Sequence, residues 1–172
     1  MILTGNQIIK DYYNGKIKIT PFLEEMVNPN SYNYRLGEVI YKVSDSIVDP
    51  KKKSSVEKIT IPQDGYCLQP GCLYLGSTYE KIGSDEYAMQ LIGRSSIGRL
   101  GIFLQVSAPL GHVGTYHSWT LELKVVQPLI VYPRMKIGQV SFWKVQGEND
   151  TPYIGKYWNY SDAHVSEFYD EL

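Results

Sequence analysis

The densest chemistry in the sequence lies in Gly93-Arg94-Ser95-Ser96-Ile97-Gly98-Arg99-Leu100-Gly101. Two arginines, two adjacent hydroxyls and three glycines that leave the backbone accessible could cradle an oxyanion, because guanidinium forks onto phosphate while Ser and main-chain N–H groups add donors. The same residues suit a capped turn with surface arginines, and the segment alone leaves both readings open. Twenty-three residues after Arg99 comes Glu122, inside Trp119-Thr120-Leu121-Glu122-Leu123-Lys124-Val125. If Leu121 and Leu123 point into a core, Glu122 points to the opposite face with Thr120 and Lys124. Taken alone it is an exposed strand Glu. His112 and His117 lack further ligands at metal spacing, so no metal site is expected, and they read as loop imidazoles contacting ligand or solvent.

Something must hold these residues. Thr4-Gly5-Asn6-Gln7 has capping-box spacing, and Ile8, Ile9, Tyr12 and Tyr13 follow at helical intervals before Gly15, which predicts a short amphipathic helix. From Lys16 onward the period shortens to alternating runs broken by turn residues: 16–19, 38–43, 56–61, 73–75, 87–92, 102–106, 119–125, 129–131 and 138–143. Nine short strands imply a β-sandwich, jelly roll or closed barrel. Asp49-Pro50-Lys51-Lys52-Lys53-Ser54-Ser55 reads as an exposed hairpin tip, more a solvated turn than a phosphate site. Cys67 and Cys72 read as buried reduced thiols in a strand-turn-strand. After Trp143 the chain turns polar and aromatic, and residues 146–172 read as a tail that packs on, or closes over, something else.

Composition removes several classes. With 172 residues, one domain spanning 1–172 is expected. Seventeen Lys+Arg against 18 Asp+Glu leave a net charge of -1, so no basic field is available to hold a nucleic-acid polymer. A mean hydropathy of -0.25 and the lack of any long apolar run argue against a membrane role. The start Met1-Ile2-Leu3-Thr4-Gly5 lacks the basic residues and long apolar stretch of a secretory signal, so a cytoplasmic protein is expected. Tyr, at 15 residues, dominates the aromatics and favours strands.

Several marks in order give the sequence a wider likeness. Met1-Ile2-Leu3-Thr4-Gly5 and Asn28 to Gly37, ending in Arg35-Leu36-Gly37, form an N-terminal segment. Leu68-Gln69-Pro70-Gly71 and Leu75-Gly76-Ser77-Thr78-Tyr79-Glu80 carry a central Pro-Gly and a Thr-x-Glu. Gly93 to Gly101 carries Gly-Arg-Ser-Ser-x-x-Arg-Leu-Gly, Leu121-Glu122 follows, and Gly155-Lys156-Tyr157 stands in the tail. Together these resemble the dCTP deaminase and dUTPase superfamily, specifically its dCTP deaminase branch, including members that also hydrolyse the triphosphate.

The resemblance implies an all-β, distorted jelly-roll or β-barrel fold of the dUTPase-like type, with a short N-terminal helix and a closing C-terminal tail. It implies a homotrimer with shared sites and metal-independent deamination of a cytosine nucleotide, dCTP to dUTP plus ammonia. Glu122 becomes the general base that takes a proton from the water attacking C4, Ser95 helps place that water, and Arg99 holds the carboxylate. Arg94, Ser96, Gln105, Ala108, His112, Lys156 and Tyr157 make up the substrate-binding set, with Ala108 offering main-chain groups to the base. No cofactor is implied for deamination; Mg²⁺ enters as the counter-ion of the triphosphate. The His-x-Glu and Pro-Cys-x-x-Cys elements of zinc deaminases are absent.

The sequence also departs from the family pattern. His112-Val113-Gly114-Thr115 stands where an Asp-Pro-Gly and an aromatic are usual, Asn33 where an Asp is common, and Trp158-Asn159-Tyr160-Ser161-Asp162 replaces the usual Gln- and Gly-containing tail. Without the loop acid, the uracil triphosphate is expected to be released rather than cleaved. Two alternatives stand beside deamination: a uracil or modified-pyrimidine nucleotide diphosphohydrolase of the same fold, and a nucleotide-binding homologue without catalysis.

Overall fold

In the computed structural model of the chain, described for residues 1–104, 108–147, 153, 155 and 162–171, helix α1 runs Gly5–Tyr13. Its Thr4 hydroxyl accepts the backbone N–H of Gln7 at 3.4 Å, and Gly15 closes it at φ 74°. The left-handed value needs glycine. Ile8 is fully buried under the sheet.

Twelve strands follow: β1 Ile17–Thr20, β2 Val27–Asn28, β3 Ser31–Val43, β4 Val56–Thr60, β5 Tyr66–Leu68, β6 Leu73–Ser84, β7 Tyr87–Gly93, β8 Ile102–Leu104, β9 Leu110–Gly111, β10 Thr115–Val125, β11 Leu129–Val131 and β12 Lys136–Lys144. A one-turn helix, α2, spans Ser95–Gly98. Cys67 on β5 and Cys72 just before β6 are free thiols, but Cys67 is exposed and Cys72 half-buried, not buried as expected, because they lie on a short two-stranded ladder and its turn. The main sheet runs β8-β10-β6-β3-β12-β7-β9, with β1 also on β6 and β2 and β4 also on β3, while β11 and β5 pair separately. All pairings are antiparallel. Curled on itself, the sheet encloses one large core that includes Tyr32, Tyr34, Leu36, Ile40, Ile82, Leu121, Leu123, Val140 and Phe142. Burying such side chains contributes about 1.5–3 kcal/mol each.

The architecture is the all-β one expected, but β3 and β6 are far longer than the sequence suggests. Residues 31–37 and 76–84 hide their strand character behind glycines that read as turns. They are packing glycines instead. A Cβ on Gly83 would lie 1.9 Å from the Thr115 carbonyl oxygen, and one on Gly76 would press on Leu36 and Leu123. Gly inside a strand marks close backbone approach.

The ladder between β10 and β6 breaks where Thr78, Tyr79 and Glu80 stand opposite Trp119 alone. Such a break strands backbone donors that must find other partners. Thr78 Oγ1 accepts the Trp119 N–H at 2.9 Å and donates to the Glu80 carbonyl at 2.7 Å. The fully buried Glu80 carboxylate accepts the Arg35 backbone N–H at 2.8 Å and the Arg35 Nε–H at 2.6 Å. The N-terminal Arg-Leu-Gly and the central Thr-x-Glu marks are therefore one staple. Asn33, buried, uses its amide to donate to the Met26 carbonyl and to Asn28 Oδ1, both at 3.1 Å. An Asp there could donate to neither.

Candidate functional site

Strand alternation acts on β10 as expected. Leu121 and Leu123 are fully buried in the core, and Glu122 turns to the other face, where it lines a cavity of about 530 Å³. Opposite it across the ladder stands Leu75. Val43, Leu73, Leu75, Leu110 and Val165 make much of the wall apolar, and Glu122 is the one carboxylate among the described lining residues. A carboxylate held in position on a cavity wall can exchange protons with a molecule bound there.

All three histidines of the chain, His112, His117 and His164, border this cavity. His117 is not in a loop as expected but in β10, tilted against the Trp119 ring with centroids 4.2 Å apart, its Nδ1–H donating to the Ser118 carbonyl at 2.9 Å. Burial is the main influence on it and holds its pKa below the usual imidazole value. Trp119 is fixed in turn by its indole N–H on the Ile82 carbonyl at 3.0 Å. His112 lies between β9 and β10, and its ring stacks on Tyr153 of the tail at 4.4 Å and 22°.

The tail closes another side. Ala163 and Val165 are buried against Leu75, and Tyr41 and Val56 pack beside them. The Thr120 hydroxyl accepts the His164 N–H at 3.2 Å, and Asp162 accepts the Tyr41 hydroxyl at 2.9 Å. These bonds set residues 162–166 beside the strand that carries Glu122. Sequence reasoning missed His164, Tyr153 and Val165 because a polar, aromatic stretch carries no periodicity to place it.

Of the expected site residues, Glu122, Ala108 and His112 come together at the cavity. Arg94, Ser95, Ser96 and Arg99 do not. They sit on α2 and its flanks between β7 and β8, with Ser95, Ser96 and Arg99 exposed and Arg94 half-buried. No ion pair joins Arg99 to Glu122 within one chain among the described residues. The turn is instead shaped by its own backbone: Gly98 N–H on the Arg94 carbonyl at 2.8 Å and Arg99 N–H on that of Ser95 at 3.1 Å. Gln105, Lys156 and Tyr157 lie outside the described residues. The described residues contain no group of three or more His, Cys, Asp or Glu able to hold a metal ion, and no helix long and apolar enough to cross a membrane.

Comparison with known proteins gives a consistent answer. A family model described as dCTP deaminase-like matches residues 2–145. A protein of Hathewaya histolytica named dCTP deaminase, dUMP-forming, is 40% identical over 172 residues, covering 100% of this chain and 99% of its own. One of the same name from Leptospira biflexa is 45% identical over 157 residues, or 91% and 90% of the two chains. A dCTP deaminase of Rhodopirellula baltica is 38% identical, over 100% and 86%. The solved structure of a 2′-deoxycytidine 5′-triphosphate deaminase from Agrobacterium tumefaciens superposes with a TM-score of 0.65 at 23% identity, covering 82% of this chain and 47% of that one, which shows the shared fold. Two of these names specify a monophosphate product, opposite to the dUTP expected from the missing loop acid.

Proposed function

The chain belongs to the dCTP deaminase-like family, and from that premise we propose that it hydrolyses the C4 amine of dCTP, releasing ammonia, and carries the product on to dUMP. The observation that supports the first step is the setting of Glu122: a strand-fixed carboxylate on a largely apolar cavity wall, with Ala108 and His112 on the same wall. Deamination needs a base for the attacking water and then protons at N3 and at the leaving amine. One carboxylate serves all three by relaying both protons of the water in turn, the first to N3 as the water adds to C4 and the second, from the new C4 hydroxyl, to the amine as the C4–N bond breaks and ammonia leaves. The second step is supported by the product named for relatives at 40% and 45% identity.

The sites are shared between the copies of a homotrimer. What favours this is the separation within one chain of Glu122, on the cavity, from Arg94, Ser95, Ser96 and Arg99, on the outer surface. In the trimer, Ser95 of a neighbouring copy orients the water, its Arg99 holds the Glu122 carboxylate, and its Arg94 and Ser96 meet the phosphates. Gln105, Lys156 and Tyr157 complete the substrate contacts. Deamination runs without a metal, and Mg²⁺ arrives as the counter-ion of the triphosphate.

The test is to incubate the purified protein with cytosine and uracil nucleotides, with and without Mg²⁺, and follow ammonia and pyrophosphate separately. Both released from dCTP supports the two-step reading. Ammonia without pyrophosphate leaves deamination to dUTP, pyrophosphate from dUTP alone makes the protein a diphosphohydrolase, and neither makes it a binding protein. His112→Asp, assayed as the ratio of kcat/KM for dCTP over CTP, tests whether His112 reads the sugar.

A further inference from the structure

The described lining of the cavity holds one carboxylate and three imidazoles but no lysine or arginine. One side of the wall comes from the hairpin joining β3 to β4, through Val48 and Ser54. Between those two lining residues lies Asp49-Pro50-Lys51-Lys52-Lys53, which contains the only run of three consecutive like charges in the chain. The path leaves the cavity wall at Val48 and returns to it at Ser54, so no lysine backbone is more than three residues from the wall. At ~3.3–3.6 Å per extended residue this is within about 10 Å, comparable with the screening length of about 8 Å at physiological ionic strength.

The carboxylates of the hairpin are largely engaged in shaping it. Asp45 Oδ2 accepts the Ser55 N–H at 2.8 Å, Asp49 Oδ1 accepts the Lys51 N–H at 3.0 Å, and Asp49 Oδ2 lies 3.7 Å from Lys52 Nζ. Neither Lys51 nor Lys53 has a carboxylate partner among the described residues, and all three lysines are exposed. The tip thus carries cationic heads beside a cavity whose described wall has none.

We propose that the β3–β4 hairpin is an electrostatic guide for the phosphate chain of the entering nucleotide, and that it grades nucleotides by the number of phosphates they carry. This deepens the reading of the cavity as a cytosine-nucleotide site and rests on it. The lysines act through charge at the mouth and do not touch the reacting atoms. Their effect therefore falls on capture, not on chemistry.

Replacing all three, K51Q/K52Q/K53Q, tests this in the full-length protein, with a thermal melt to show the fold is kept. At low ionic strength kcat/KM for dCTP should fall about 3- to 10-fold with kcat unchanged, at the low end of what charge steering supplies. The loss should shrink for dCDP, nearly vanish for dCMP, and close as salt is raised. K51E/K52E/K53E should deepen it in the same order. An equal loss on dCTP and dCMP, or no loss at low salt, overturns the proposal and leaves a solvated turn. Calorimetric titration of dCTP and of 2′-deoxycytidine into the Glu122→Gln protein, with and without the lysine changes, gives the same comparison independently of turnover. If the wild type deaminates no cytosine nucleotide the functional reading fails, while a phosphate-dependent loss of dCTP binding would still establish the guide.

Discussion

Glu122 and the turn from Arg94 to Arg99 are held by opposite means. Glu122 is addressed by the core: Leu121 and Leu123, both fully buried, leave it one face to occupy, and the cavity lies on that face. The arginine turn is addressed by nothing so deep. Ile97 is its buried anchor, and its hydroxyls and Arg99 face outward. A side chain whose position is fixed by its neighbours' burial is ready within one chain, whereas an exposed cationic turn is ready to meet something outside it. The difference tells the experimenter which half can be broken alone.

The largest effect is expected from Glu122→Gln, which keeps size and shape but replaces the carboxylate with an amide that cannot accept a proton at neutral pH. Ammonia release from dCTP should drop by about 10²–10⁴-fold while the melting profile stays put; turnover within threefold of wild type would take Glu122 out of the mechanism. Mixing that protein with Arg94→Ala, itself inactive, should recover activity if the two halves come from different copies. Persistently dead mixtures of exchanging subunits, or a monomer by light scattering at micromolar concentration, would place both halves in one chain. Beneath the cavity, Glu80→Ala leaves Arg35 and its backbone N–H without their acceptor in the broken ladder. Breaking one side of a buried pair costs about 3–5 kcal/mol, measurable by denaturant unfolding, and a loss under 1 kcal/mol would show that water replaces the carboxylate.

Smaller effects sharpen the cavity half. Tyr153→Leu removes the ring stacked on His112, a contact worth about 0.5–1.5 kcal/mol. A roughly two- to tenfold rise in KM with kcat held, absent in Tyr153→Phe, is expected if the stack holds the tail beside the substrate. The smallest effect concerns His117. Its folded pKa is depressed by burial below the ordinary 6.5, so between the two values the unfolded chain binds more protons. Its contribution to stability is full above pH 6.5, is lost as pH falls from there to the depressed value, and is flat below. His117→Phe should remove this slope from Tm measured against pH, and an unaltered slope would assign it to other groups.

The sequence made the simplest parts legible. Thr4 and Gly15 bracket α1, the alternation around Glu122 sends it away from the core, and the family marks are physically joined in the Arg35–Glu80 staple. What it hid has common causes. Glycines at 76 and 83, read as turns, admit close backbones inside long strands, so β6 is seen only as residues 73–75. His117 reads as a loop residue because β10 alternates weakly ahead of Trp119. The tail gives no warning that Ala163 and Val165 are buried, because two apolar residues make no period and their partner Leu75 is nearly ninety positions away.

The break in the β10–β6 ladder divides one wall into two independent clauses. On one side of it His117 pairs with Ile82; on the other Glu122 pairs with Leu75. Because the staple of Thr78 and Glu80 absorbs the mismatch locally, a change of residue or loop length ahead of Trp119 need not shift the phase of the strand behind it. The part of the wall that carries His117 can be rewritten while Glu122 keeps its address on the cavity.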